Sequence, residues 1–172
     1  MTHSKHECQD IFGRITVTIG MILVMLTAGC TAQQLDQLPA LSKPDQQHHY
    51  LKLAQQDFQR GSFGLSEKNF RKAVEIDPKD EEAWLGLAAT YDHLTRYDLA
   101  DRSYARAKSL MGESPALLNN MGYSKMLRGD LRAAKTLLAK AWRLDPSNPR
   151  IASNIEELNT RLEQAGGEPI KL

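Results

Sequence analysis

The sequence predicts an all-α protein: a solenoid of three helical hairpins closed by one further helix. Two observations carry that prediction. Slid along itself so that Tyr50 falls on Trp84 and Trp84 on Leu118, the stretch from 47 to 148 matches itself at bulky, small and turn positions alike. From 149 to 164, Ile151, Ile155, Leu158 and Leu162 recur at helical spacing on one stripe, with Arg150, Glu156, Glu157, Arg161 and Glu163 turned to water. Aromatic residues make up only 6% of the chain, too few for an aromatic-rich β-sandwich. The expectation is seven helices and no sheet.

The first element, residues 1–29, reads as an address. A polar start carrying Lys5 and Arg14 leads into an uncharged stretch that runs from Ile15 to Gly29. As a helix that stretch is about 22 Å long, short of the roughly 30 Å hydrocarbon core, which suits a signal-peptide core better than a membrane span. Leu26-Thr27-Ala28-Gly29-Cys30 closes it and resembles the lipobox of bacterial lipoproteins. That resemblance implies acylation of Cys30 and cleavage between Gly29 and Cys30. Two or three acyl chains exceed the marginal binding of a single chain. The mature chain would then begin at Cys30 and, with Cys8 removed and Cys30 acylated, have no free thiol and no disulfide. Thr31, rather than Asp, follows the cysteine, which by the same resemblance favours the periplasmic face of the outer membrane.

Cys30 and the polar stretch to residue 46, interrupted by Pro39 and Pro44, read as a lipidated tether. Three units follow, 47–80, 81–114 and 115–148. Tyr50, Trp84 and Leu118 align, as do Ala54, Ala88 and Gly122; Ser66, Ala100 and Ala134; Phe70, Tyr104 and Leu138; and Ala73, Ala107 and Ala141. Small residues let the two helices of a unit lie together, and the Phe70 class fills the space between units. Gly61 and Gly129 mark the turn inside the first and third units, with Thr95 between them; Asp77-Pro78 and Asp145-Pro146 mark unit ends. Ser114-Pro115 and Asn148-Pro149 each set a capping side chain before a proline of the first turn. The pattern resembles the tetratricopeptide repeat. Asp57 and Lys125 depart from it where an aromatic is usual, kept only as Tyr91. Such units need neighbours to bury their apolar faces, and residues 149–164 supply a capping helix before the tail, 165–172.

Chemistry is scarce. Lys and Arg number 22 against 21 Asp and Glu, a net charge of +1, so no strong pull toward nucleic acid or acidic lipid is expected. No phosphate loop, dinucleotide fingerprint, metal-binding helix motif or nucleophile elbow occurs. His48 and His49 are adjacent, so on a helix they point about 100° apart and share a metal poorly. Asp92-His93 lacks a nucleophile at useful spacing, and His93 is expected in solvent. No cofactor, no metal and no catalysis are expected. A binding surface remains. In a repeat of this kind the first helices line a groove, and the register places Leu51, Gln55 and Phe58, then Leu85, Ala89 and Asp92, then Asn119, Tyr123 and Met126 toward it. That mixture suits an extended peptide or a partner's helix and lacks the Lys/Arg set of the carboxylate-clamp subgroup.

Trp84-Leu-Gly-Leu-Ala-Ala-Thr-Tyr91 and Leu117-Leu-Asn-Asn-Met-Gly-Tyr-Ser-Lys-Met-Leu-Arg-Gly-Asp-Leu131 are similar to TadD-type lipoproteins of Flp/Tad pilus assembly. The resemblance implies a membrane-anchored, periplasm-facing adaptor whose partner is a secretin or another assembly component. A general envelope scaffold for cell-wall enzymes or outer-membrane protein assembly is the alternative.

Overall fold

The computed structural model describes residues 42–171. The signal, its cleavage position, Cys30 and most of the tether lie outside the described residues. Seven helices and no strand occur among those described: α1 Lys43–Gln59, α2 Phe63–Ile76, α3 Glu81–His93, α4 Tyr97–Met111, α5 Pro115–Leu127, α6 Leu131–Leu144 and α7 Pro149–Gln164. Helices pair as α1/α2, α3/α4 and α5/α6, and α7 closes the stack. This is the all-α repeat solenoid that the self-matching sequence predicts.

One boundary differs. The first helix begins at Lys43, ahead of the expected tether end at 46. Pro44, read as a tether residue, sits in the first turn, where its missing N–H is not needed, and Ser42 accepts the N–H of Asp45. The other first helices start the same way. Asp80 accepts from Ala83 N–H at 2.9 Å and Ser114 from Leu117 N–H at 3.2 Å, and α7 uses Asn148 to accept from Arg150 N–H at 3.1 Å.

The first helices end alike too. At the end of α1, Gly61 N–H donates to Phe58 O at 3.0 Å and Ser62 N–H to Asp57 O at 2.9 Å. Thr95 and Arg96 repeat this pair on Asp92 O and Tyr91 O, and Gly129 and Asp130 repeat it on Met126 O and Lys125 O. The closure requires a left-handed residue at its centre. Gly61 and Gly129 take it at φ 73° and 77°, and Thr95 takes it at φ 57° although it is β-branched.

Two core clusters fill the stack. Ala54, Phe70, Ala88, Ala100 and Tyr104 belong to the first, and Leu118, Met126, Ala134, Leu138 and Ile155 to the second. Close approach is visible at Gly122, where an added Cβ would lie 2.7 Å from Leu138 Cγ and 3.3 Å from its backbone nitrogen. At Gly86 a Cβ would fall 2.2 Å from Phe70 Cζ, so the ring of unit one seats directly on the backbone of unit two. A hydroxyl seam joins the same units. Ser66 donates to Ala54 O at 3.0 Å and meets Thr90 Oγ1 at 3.1 Å, and Thr90 in turn donates to Gly86 O at 2.8 Å.

Candidate functional site: the groove lined by the first helices

The inner face of the stack, formed by α1, α3, α5 and the start of α7, carries two adjoining open clefts of about 510 Å3 and 490 Å3. Phe58, Ala89, Asn120 and Arg150 line both, so the clefts are one continuous groove.

Four aromatic rings cluster on one wall of it. His93 stacks flat on Phe63, centroids 4.3 Å apart, and meets Phe58 edge-on at 5.2 Å. Tyr123 lies 6.4 Å from the same imidazole, and Phe58 packs edge-on against Phe63 at 5.4 Å. Burial among these rings lowers the imidazole pKa, against the opposing influence of Asp92, so the neutral ring is favoured. His93 is therefore exposed to solvent, as expected from sequence, and at the same time an aromatic wall member through its contacts with Phe58 and Phe63. The signal that could find it is its position one residue after Asp92 and two before the turn residue Thr95, where α3 meets the ends of α1 and α5. Phe63, the first residue of α2, recurs one and two repeats on as Tyr97 and Leu131, the first residues of α4 and α6, so the repeat offset marks a bulky position there.

Amides line the other wall. Asn154 donates to Asn119 Oδ1 at 2.8 Å, and Asn119 Nδ2 reaches Asn120 Oδ1 at 3.4 Å. Asn119 is thereby largely buried, while Asn120 is half-buried and faces the groove. At the opposite end Gln55 donates to Glu82 Oε1 at 2.7 Å, which ties the rim of unit one to unit two. Leu51 and Leu85 are half-buried against the first core cluster, and Leu85 with Ala89 forms the apolar floor beside Phe58.

Of the expected groove residues, Met126 serves otherwise, and Asp92 lines the groove while being engaged within the protein. Met126 is fully buried in the second core cluster with Ile151, Ile155 and Leu158, because α7 covers the face of α5 that the repeat register leaves open. Asp92 is 3% exposed and is the centre of a polar network. It accepts from Tyr104 Oη–H at 2.8 Å, from Ser124 Oγ–H at 2.8 Å and from Arg128 Nη2 at 3.3 Å. Arg128 also pairs with Asp101 at 2.8 Å and lies 4.6 Å above the Tyr97 ring. Burial and the adjacent Asp92 carboxylate push the Tyr104 phenol well above the usual tyrosine value, so it stays a donor. Both carboxylate oxygens thus accept hydrogen bonds from within the protein, Oδ1 two and Oδ2 one. The network joins α3, α4 and α5.

Among the described residues, no three His, Cys, Asp or Glu side chains gather as a metal site, and no helix is long and apolar enough to cross a membrane. The groove offers shape, aromatic surface and amides.

Comparison with known proteins agrees on the repeat fold. Residues 69–102 match the tetratricopeptide repeat family. The type IV pilus assembly protein PilF of Pseudomonas aeruginosa is 26% identical over 157 residues, covering 86% of this chain and 62% of that protein. The solved structure of Pseudomonas aeruginosa PilF superposes with a TM-score of 0.60 at 25% identity, over 72% of this chain and 57% of that one. The chain thus spans less than two thirds of the length of the pilus protein. The second tetratricopeptide domain of human RPAP3, solved in complex with an HSP70 peptide, superposes with a TM-score of 0.58 over 68% of this chain and 98% of that one. At 16% identity that likeness shows the fold alone.

Proposed function

We propose that this protein is a membrane-anchored, non-catalytic adaptor that holds an extended segment of a pilus-assembly protein in its inner groove. The observation that carries the proposal is the similarity to PilF across 157 residues, which includes the whole repeat domain, taken with the continuous groove. Phe58, His93 and Tyr123 offer an aromatic wall for an apolar anchor of the partner, and Asn120 with Ser153 offers hydrogen bonds to its backbone. Cys30, if acylated, fixes the chain at the bilayer on the periplasmic face of the outer membrane, and anchoring raises its effective concentration for partners in the same membrane. Within this reading, a Flp/Tad-type apparatus and a secretin partner are the narrower proposals, supported by the resemblance of 84–91 and 117–131 to TadD-type lipoproteins.

A photo-crosslinking side chain placed at Tyr123 in the full chain tests the groove. Adducts with a secretin or another pilus component, lost in a Phe58→Ala/His93→Ala variant of unchanged helicity, are expected. Adducts only with cell-wall enzymes or with the outer-membrane protein assembly machinery would replace the pilus reading with the general scaffold. The anchor is tested separately: a Cys30→Ala chain that keeps both the mature mass and membrane fractionation would refute lipidation at Cys30.

A further inference from the structure

The near-zero net charge conceals a segregation. The three second helices, α2, α4 and α6, carry ten Lys and Arg against four Asp and Glu, and α6 carries no acid at all. The three first helices, α1, α3 and α5, carry three against five. Sequence order interleaves these charges, and the hairpin fold sorts them. The groove side becomes mildly acidic and the outer side strongly basic.

The basic side also repeats. Leu65 and Leu99 occupy the same position of α2 and α4, one repeat apart, and are 55% and 36% exposed. Three residues on come Lys68 and Arg102, and seven residues on come Lys72, Arg106 and, on α6, Lys140. Positions i, i+3 and i+7 share one stripe of a helix. Each of the first two outer helices therefore presents an exposed leucine followed by two cations along one line, and α6 continues the cationic row.

Part of this charge is met internally. Lys72 pairs with Glu75 at 2.7 Å, Lys108 and Lys140 share Glu113, and Arg106 donates to Pro78 O at 3.1 Å, which leaves its charge uncompensated. Lys68, Arg102, Arg132 and Arg143 take part in none of the ion pairs among the described residues.

We propose that this outer face docks on an anionic phospholipid bilayer, with Lys68, Arg102 and Arg132 at the headgroup phosphates and Leu65 and Leu99 entering the headgroup layer. A broad face of separated cations with protruding leucines suits a diffuse anionic surface that has an apolar interior. Among the described residues the exposed large apolar side chains are all leucine, so this face offers no aromatic row for stacking on bases, and nucleic acid fits less well. The choice of occupant rests on the membrane-anchored reading above. With α1 beginning at Lys43, the residues from 31 to 42 reach at most about 43 Å, which keeps an anchored domain within contact distance of the bilayer. Docking by the outer helices turns the groove away from the lipid and toward soluble or secretin-borne partners.

The full chain, purified from envelopes, is incorporated into vesicles of neutral phosphatidylcholine or of phosphatidylcholine with a large share of phosphatidylglycerol. Flotation with neutral vesicles reads the anchor alone. Docking is read by hydroxyl-radical labelling of Leu65 and Leu99, quantified by mass spectrometry. Labelling of both should fall about threefold or more on anionic vesicles and recover in high salt, since screening removes surface attraction. Each basic side chain near such a surface strengthens association roughly fivefold, so Lys68→Glu/Arg102→Glu/Arg132→Glu should abolish the difference while flotation persists. Leu99→Glu, a single surface change, serves should the triple variant lose helicity. Equal labelling on both lipids at low salt overturns the proposal, as does protection that arises only when nucleic acid or an acidic protein is added. Failure to float with neutral vesicles sinks the anchor without touching the docking face, which would then show as salt-sensitive flotation on anionic vesicles.

Discussion

Replacing Thr95 with glycine should stabilise the protein, although it removes a side chain from the middle of the repeat array. Thr95 occupies the centre of the same two-bond helix closure that Gly61 and Gly129 make, at φ 57°. A left-handed backbone places Cβ against the following carbonyl oxygen, which costs an L-residue about 1–2 kcal/mol. Branching at Cβ adds to the crowding, because one of the two substituents always faces the turn. Glycine removes that strain. It also loosens the unfolded chain, which takes back about 0.4–1 kcal/mol. The hydroxyl contributes little, since its one hydrogen bond is to the neighbouring Leu94 carbonyl at an exposed position where water substitutes. The net gain should be about 0.5–1 kcal/mol, a rise in Tm of about 2–4 °C for a domain of this size.

The assay is thermal unfolding followed by circular dichroism at 222 nm, with Thr95→Ala as the control. Alanine keeps the Cβ and sheds only the branch, so its gain should fall well below that of glycine. Gly61→Ala and Gly129→Ala should move the opposite way, because each puts a Cβ onto a left-handed position. A Tm for Thr95→Gly at or below the parent, or equal to that of Thr95→Ala, would refute the strain.

Three further outcomes follow from the packing. Gly86→Ala should destabilise by about 1–3 kcal/mol despite the better helix propensity of alanine, because the Phe70 ring already occupies the space; a higher urea midpoint would show that the ring can yield. Asp92→Ala should cost about 3 kcal/mol and lower the urea midpoint far more than Asp92→Asn, whose amide oxygen still accepts from Tyr104; equal loss in both variants would deny the carboxylate its central role. His93 supplies a pH dependence. Its pKa is lowered by folding, so the unfolded chain takes up a proton more readily, and the stability present above the unfolded value near 6.5 is lost as pH falls through that value toward the lower folded one. Urea midpoints at pH 7.5 and 5.5 should therefore fall less in His93→Gln than in the parent, and parallel curves would refute this.

What is legible in the sequence is whatever repeats. The alignment of Ala54 with Ala88 and Gly122 shows the close packing inside each hairpin, since a small residue recurring at one offset marks the place where two helices touch. Caps such as Ser114 and Asn148 are equally legible, because their chemistry is local and complete within one helical turn. The groove is less so. The repeat register places Met126 on the inner face, as it would lie if another identical unit followed. The helix that follows is α7, whose Ile155 and Leu158 claim Met126 for the core. The exposure of His93 is legible but its stacking is not, since its partner Phe63 lies at the start of the second helix, outside the first-helix register that defines the groove. Net charge misleads in the same way: it sums residues that the hairpin fold then sorts onto opposite faces.

The Asp92 network gives the groove a shape that its ligand-facing residues do not determine. Phe58, His93 and Tyr123 come from three successive first helices, so their spacing depends on the angle between units. Between units two and three that angle is held by Asp92 on α3, Tyr104 on α4 and Ser124 on α5, with Arg128 clasping the set from just beyond α5. Apolar packing alone tolerates small rotations between helices, whereas a carboxylate with three donors accepts one arrangement and penalises the others by leaving buried groups unpaired. Between units one and two the tie is the softer seam of Ser66 and Thr90, together with Phe70 seated on Gly86. The aromatic wall straddles both junctions. A ligand that presses Phe58 and His93 together therefore works against the softer junction, and the stiffer one keeps Tyr123 and the asparagine wall in place as a fixed template. Adjustment of the groove to its partner should be confined to unit one, the part of the repeat array next in the chain to Cys30.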